Sequence, residues 1–186
     1  MTSSSQPELW DIYDENRQRT GRVIARGDRW GNEKYHLIVH VCLFDKKGRL
    51  LIQKRAHEKK AWADLWDVSA GGSAVSGEDS RAAAERETFE ELGIRLDLSG
   101  IRPHFSINYA RGFDDFYLLE HEVSPEELTL QKEEVACVQW ASIDEVRQLA
   151  SQKRFVPYFP ALLELLWQVK GRYDGAICQT RGDAKG

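Results

Sequence analysis

The sequence predicts an α+β fold built on a mixed β-sheet. Three observations carry that expectation. Two β-branched and aromatic runs, YHLIVHVCLF and LLIQKR, flank DKKG, the composition of a hairpin loop. The run SRAAAERETFEEL, Ser80–Leu92, consists mostly of strong helix formers and stops before Gly93, where a helix C-terminal glycine belongs. Two further helical stretches come late, so that strands surround one central helix and helices close the sequence.

In chain order, ELWDIYDENRQRTGRVIARG reads as two short strands around a polar turn at residues 14–17, because Trp10, Ile12, Val23 and Ile24 stand among polar residues. The DKKG hairpin follows. LWDVSA is a short strand that runs into Gly71 and Gly72, and Gly77 closes a small-residue loop before the helix, whose cap is Ser76 or Asp79. HFSINYA and FDDFYLLEHEV read as strands with Gly112 at the turn, and VACVQWA as another. Ser142 caps the helix SIDEVRQLA, and residues 157–170 give a last helix rich in leucine and tryptophan. These elements make residues 8–172 one domain between a flexible segment at 1–7 and a flexible polar tail at 173–186.

A chain of 186 residues, 41% hydrophobic and 30% charged, suits one globular domain, and no apolar run approaches membrane-spanning length. The start, MTSSSQPELW, lacks the charged and apolar segments of a secretory signal, so a soluble cytoplasmic protein is expected. Cys42, Cys137 and Cys178 are odd in number and in no CxxC pairing, which argues against a disulfide framework or a zinc site and for buried reduced thiols. A net charge of −4 argues against a nucleic-acid partner. The apolar helix FPALLELLW offers a surface that packs within the domain or across a homodimer.

The chemistry gathers around GGSAVSGEDSRAAAERETFEELGI. At about 100° per residue, Glu87, Glu90 and Glu91 form one acidic ridge, while Ala84, Thr88 and Leu92 lie on a flank that faces a core. Like charges at this spacing destabilise a helix by a few tenths of a kcal/mol per pair, so the ridge does not serve local stability. Arg86 can pair with Glu90 one turn on and reach back to Glu78. One arginine does not neutralise four glutamates. Hard divalent cations prefer carboxylate and carbonyl oxygens, and the glycine loop lets backbone carbonyls approach, so the pattern points to Mg²⁺. A solvated acidic face is the competing account.

The spacing weighs against that account. Gly72, five residues, Glu78, seven residues, then Arg86, Glu87, Thr88, Phe89, Glu90, Glu91, Leu92, Gly93 and Ile94 resemble the Nudix box, G-x5-E-x7-R-E-U-x-E-E-x-G-U, with U a bulky apolar residue. Every fixed charged and glycine position is present. Thr88 stands at the first U position, where its hydroxyl needs a partner such as the carbonyl one turn earlier.

The resemblance covers most of the chain and implies an α/β/α sandwich around a central mixed sheet. It also implies hydrolysis of a phosphoanhydride in a nucleoside diphosphate derivative or related organic diphosphate, by attack of water with Mg²⁺, or Mn²⁺ as a substitute. By the same resemblance Glu87, Glu90 and Glu91 are metal ligands, joined by the Gly71 carbonyl. The general base is Glu90 or Glu91, or else Glu133 or Glu134 from the later loop.

LLIQKRAHEKKAWADLWDVSAGG and ELWDIYDENRQRTG are similar to the isopentenyl diphosphate isomerase branch of that superfamily. The branch needs a catalytic cysteine in a segment W-x-N-S-x-C-G-H-P. Here Trp66 to Ala74 put Gly71 in place of the cysteine and Ser73 in place of a metal-binding histidine, so hydrolysis is expected rather than isomerisation. His36 matches a metal-binding histidine of the branch, although a lone histidine in a strand is more often structural. Arg55 and Lys59, with Lys54 and Lys60 beside them, match its diphosphate-holding positions, and a guanidinium suits phosphate. Trp62, Trp66, Tyr109, Phe113 and Phe116 are the aromatics expected to border a pocket or to fill the core. The remaining alternative is a non-catalytic diphosphate-binding member, against which the complete set Glu78, Arg86, Glu87, Glu90 and Glu91 argues.

Overall fold

The structure is a computed structural model that describes residues 7–29 and 35–173. The segment 1–6, the tail from 174 onward and Cys178, for which expectations were drawn above, lie outside the described residues.

Strand β3, His36–Phe44, has a partner along each edge, and its alternating side chains divide the core in two. The hairpin β1 (Leu9–Tyr13) and β2 (Arg19–Ala25) forms a separate antiparallel pair. Along one edge of β3 runs β8 (Gly112–Glu120), parallel from His36↔Gly112 to Phe44↔Glu120, with β7 (Phe105–Tyr109) antiparallel beyond it. Along the other edge lies the short β6 (Ala70–Ser73), antiparallel. The sheet is therefore mixed, as expected. A parallel β3–β8 pair needs a long crossover, and the chain between them carries β4 to β7 and the central helix.

β4 (Leu50–Arg55) meets β3 at the single pair Phe44↔Leu50 and then leaves it. Its own partners are β9 (Val135–Ala141) on one side and β5 (Trp66–Asp67) on the other. Where β3 and β4 splay apart, the backbone groups of Leu43 and Leu51 lack ladder partners. The fully buried Ser69 hydroxyl supplies them, accepting from Leu43 N at 2.8 Å and donating to Leu51 O at 2.6 Å.

Helix α1 (Ser80–Leu92) packs on one face of the sheet, where Ala83, Ala84 and Leu92 join Val39, Val41, Leu43 and Tyr117. The opposite face buries Cys42, Phe44, Phe116 and Leu118 against Val146, Leu163 and Leu166 of α2 (Ile143–Ser151) and α3 (Pro160–Val169). The result is an α/β/α sandwich. Asp79, not Ser76, caps α1 by accepting from Ala82 N, and Gly93 ends it at φ 74° with its N–H on Phe89 O. The Thr88 hydroxyl donates to Ala84 O at 2.7 Å, the bond its buried position requires. Ser142 and Glu145 form a capping box on α2.

Three expectations need correction. LWDVSA is two strands with different partners, because Ser69 fills the splay between them. The last helix starts at Pro160 rather than 157: proline lacks the N–H an interior position needs, and Phe159 before it adopts φ −58°, ψ 134°. Cys42 is buried, but Cys137 on β9 is exposed. Among the described residues no helix is long and apolar enough to cross a membrane.

Ser69→Ala is expected to lower unfolding free energy by about 2–6 kcal/mol, since it orphans two buried backbone groups at about 1–3 kcal/mol each. An unchanged urea midpoint would show that the splay does not depend on this hydroxyl.

Candidate active site

The splayed strands, the glycine strand β6 and helix α1 enclose a polar cleft of about 430 Å³. Arg55, Lys59, Gly71, Arg86, Glu87, Glu90, Glu91 and Glu134, all anticipated from the sequence, line it. Gly72 is glycine for reasons of space. A Cβ there would collide with the carboxylate of Glu87, so the absent side chain lets the helix acid lie directly on the strand.

Arg86 ties this arrangement together. Its Nε and Nη2 grip both oxygens of Glu78 at 2.7 and 3.0 Å, Nη1 reaches Glu87 and Glu90 at 2.9 Å each, and Nη2 also donates to Ser73 O at 3.1 Å. The fork of the guanidinium thus fixes loop, strand and helix at once. Glu78 in turn accepts from Val75 N, and the β1–β2 hairpin braces the same loop, with Asp11 accepting from Ser76 Oγ and Gly77 N and Arg19 bonded to Glu78 O.

Glu91 is 3% exposed, and its Oε2 accepts from Gly71 N at 3.1 Å and Gln53 Nε2 at 2.9 Å. Burial, followed by the nearby charge of Glu87, pushes its carboxyl up to about 7 despite those two donors. Burial also raises the Glu87 carboxyl, with Arg86 opposing. Glu90 is half exposed at 47%. Glu87 and Glu91, drawn largely out of water and disfavoured in their charged form, make an environment that an added cation relieves, and the ridge supplies the hard oxygen donors that Mg²⁺ takes. The residues present therefore fit such an ion. Among the described residues no three acidic, histidine or cysteine side chains converge as a ready cage, because Arg86 draws Glu87 and Glu90 to itself.

The facing wall is basic, and each cation is already paired. Arg55 Nη1 donates to Asp67 at 3.1 Å, and Lys59 forms an ion pair with Glu134. Desolvation, followed by the charge of Arg55, lowers the Lys59 ammonium. Of the two loop acids considered, Glu134 faces the cleft and Glu133 is exposed outside it. Lys54 and Lys60 do not line the cleft. Trp62 and Tyr109 line it, whereas Trp66, Phe113 and Phe116 are core residues. His36 stacks on Trp10, with ring centroids 4.9 Å apart, and sits 3.1 Å from Arg111 O, outside the lining.

Sequence reasoning missed five further groups. Gln53 sits in the apolar run of β4 and orients Glu91, and its only signal was a polar residue inside that run. Tyr158 donates to Asp67 at 2.8 Å and was hidden by being read into a helix. His40 stacks on Phe116 at 4.5 Å, and its Nε2 lies 3.6 Å from Asp114, whose buried Oδ1 has no hydrogen-bond partner among the described residues.

The glycine strand, the helix acids and their arginine stand on the mixed sheet in the order the box spacing requires. Comparison with known proteins agrees. Residues 34–161 match the family model of the NUDIX domain. The chain is 49% identical over 152 residues to an uncharacterized Nudix hydrolase of Listeria monocytogenes, covering 82% of this chain and 90% of that one. It is 32% identical over 157 residues to an isopentenyl-diphosphate Delta-isomerase of Salmonella typhi, with 79% and 85% covered. The crystal structure of DR0079 from Deinococcus radiodurans superposes with a TM-score of 0.69 at 22% identity, over 87% of this chain and 98% of that one, a likeness of fold. The chain belongs to the Nudix hydrolase family, within a superfamily that also holds the isomerase, and is an enzyme of the pyrophosphohydrolase class.

Two outcomes follow from this geometry. Gly72→Ala should displace Glu87 and cut metal-dependent activity at least about tenfold, since Ångström-scale misplacement costs that much or more; full activity would mean the close approach is dispensable. The raised Glu91 carboxyl holds its proton in the fold after the unfolded chain has released it, so its contribution to stability falls as pH rises between 4.5 and about 7. In EDTA, Glu91→Gln should remove that slope, gaining up to about 3 kcal/mol over the native protein between pH 4.5 and 8. Parallel pH–stability curves for the two proteins would contradict the assignment.

Proposed function

We propose that the protein is an Mg²⁺-dependent hydrolase that cleaves a phosphoanhydride bond in a nucleoside diphosphate derivative or a related organic diphosphate, with Mn²⁺ as a substitute ion. The observation that carries the reading is the pairing of two proton-favouring acids, the partly covered Glu87 and the buried Glu91, with Arg55 and Lys59 across one cleft. Acids that cannot shed charge to solvent and bases that face them suit a cation–diphosphate pair, whose two charges match the two walls.

Glu87, Glu90, Glu91 and the Gly71 carbonyl would hold the cation. Among the described residues both hydrogen bonds to Glu91 fall on Oε2, so Oε1 would be the atom left for it. A divalent ion there lowers the pKa of water and offsets charge on the departing phosphate. Gln53 and Gly71 N fix the rotamer of Glu91, and Arg86 fixes the other two acids. Arg55 and Lys59 orient the diphosphate, exchanging part of their bonds with Asp67 and Glu134 for phosphate oxygens. Release of Glu134 from Lys59 leaves it able to accept a proton from the attacking water, so Glu134 joins Glu90 and Glu91 as a candidate base.

An isomerase chemistry is disfavoured locally as well as by residue identity. A Cβ at Gly71 would lie 2.7 Å from Val39 O, so a cysteine at this position requires the backbone to shift. A cytoplasmic setting remains part of the proposal, as does the absence of a nucleic-acid partner.

Phosphate release from a panel of nucleoside and other organic diphosphates with Mg²⁺ tests the proposal. Turnover should appear in the native protein and fall at least about a hundredfold in Glu91→Gln, with circular dichroism unchanged. No turnover on any compound would favour a binding protein instead. Arg55→Ala should raise KM more than it lowers kcat, and an unchanged KM would remove Arg55 from substrate binding.

A further inference from the structure

A second cavity, of about 560 Å³, adjoins the cleft and shares Trp62, Val156 and Tyr158 with it. Its volume lies within the range of small-molecule pockets, about 300–1,000 Å³. Its own walls are Leu65, Ala150, Phe155, Pro157, Pro160 and Leu163, from the loop after β4, the end of α2 and the start of α3. Its charged lining residues are Arg147 and Glu164, paired at 2.6 Å, and the exposed Lys153.

The wall shared by the two cavities is held in an unusual backbone state. Trp62 and Asp64 are left-handed at φ 56° and 62°, a strained state for residues other than glycine that persists where the surroundings enforce it. The His57–Asp64 contact at 2.6 Å and the Arg55 bond to Ala61 O pin this loop. The half-exposed Trp62 ring is thereby set between the charged cleft and the apolar groove.

We propose that this groove seats an apolar chain esterified to the diphosphate, so that prenyl or long-chain alkyl diphosphates are the substrate class. The inference rests on the proposed hydrolase reading for the position of the diphosphate. Continuity with the cleft selects the occupant: a group bonded to a phosphate held by Arg55 and Lys59 leaves past Trp62 into apolar walls. A ribose or base in the same groove would bury hydroxyl, amino and carbonyl groups opposite Leu65, Phe155 and Pro157, leaving them unpaired. A methylene chain has no such groups, and each CH₂ buried is worth about fourfold in affinity. In the reaction, water oxygen bonds to the terminal phosphorus and the bridging P–O bond breaks. Its electron pair stays on the alkyl monophosphate, and orthophosphate and a proton are released.

The test measures KM for five-, ten- and fifteen-carbon prenyl diphosphates and for ADP and ADP-ribose, together with calorimetric Kd values for five- and ten-carbon alkyl bisphosphonates, which do not hydrolyse. KM and Kd should each fall at least about tenfold from five to ten carbons. Ser151→Trp, on the exposed rim, and Ala150→Trp, on the wall, should each abolish that dependence, and Ser151→Trp should leave the five-carbon values within about twofold. Hydrolysis with flat KM and Kd, or tighter use of the two nucleotides, overturns the groove assignment and leaves the hydrolase reading standing. Chain-length dependence of Kd with no hydrolysis does the reverse. If the same variants instead dissociate a dimer in sedimentation, the groove belongs to a second copy and the inference fails.

Discussion

The site depends on one guanidinium. Without Arg86, the mutual repulsion of Glu87, Glu90 and Glu91 would be relieved most simply by turning the acids outward to water. With it, Glu87 and Glu90 are both drawn to the guanidinium, and its three other contacts anchor Glu78 and the carbonyl of Ser73. Half-burial strengthens each of these bonds relative to solvent. The arginine therefore stores an acidic surface in a form a cation can take over, at the cost of competing with that cation for Glu87 and Glu90.

The cleft exists because the sheet does not close. β3 and β4 part after one residue pair, and Ser69 satisfies the backbone groups left at the fork. The opening lets β6 bring two glycines against α1 on one side, while β5 and the loop from Arg55 to Leu65 bring Arg55, Lys59 and Trp62 to the other. Opposite charges on opposite walls follow from topology, since acids come from the helix and bases from the strand and loop. The apolar groove continues the same opening beneath α2 and α3.

Much of this was legible in the sequence because periodicity and punctuation coincide there. Gly93, Ser142 and the DKKG turn mark ends that the structure keeps, and the flank of Ala84, Thr88 and Leu92 is buried as the helical wheel requires. The box spacing gave the ridge and the arginine because all its members lie within one loop and one helix. Gln53, Tyr158, Asp67, His40 and Asp114 were not legible, because each reaches the cleft, or in the case of Gln53 the Glu91 that lines it, through strand pairings or a chain reversal that local pattern does not encode. Ser69 hid as an ordinary serine in a strand-like run, and Pro160 showed its role as a helix start only once Phe159 was seen in an extended conformation.

The central claim is that the ridge on α1 seats a divalent cation. Electron paramagnetic resonance of Mn²⁺ titrated into the native protein and into Glu87→Gln tests it without reliance on any substrate. The account predicts a bound, signal-broadened ion in the native protein and at least about tenfold weaker binding in the variant. Equal Mn²⁺ affinity in the two proteins would place the ion elsewhere and contradict the account.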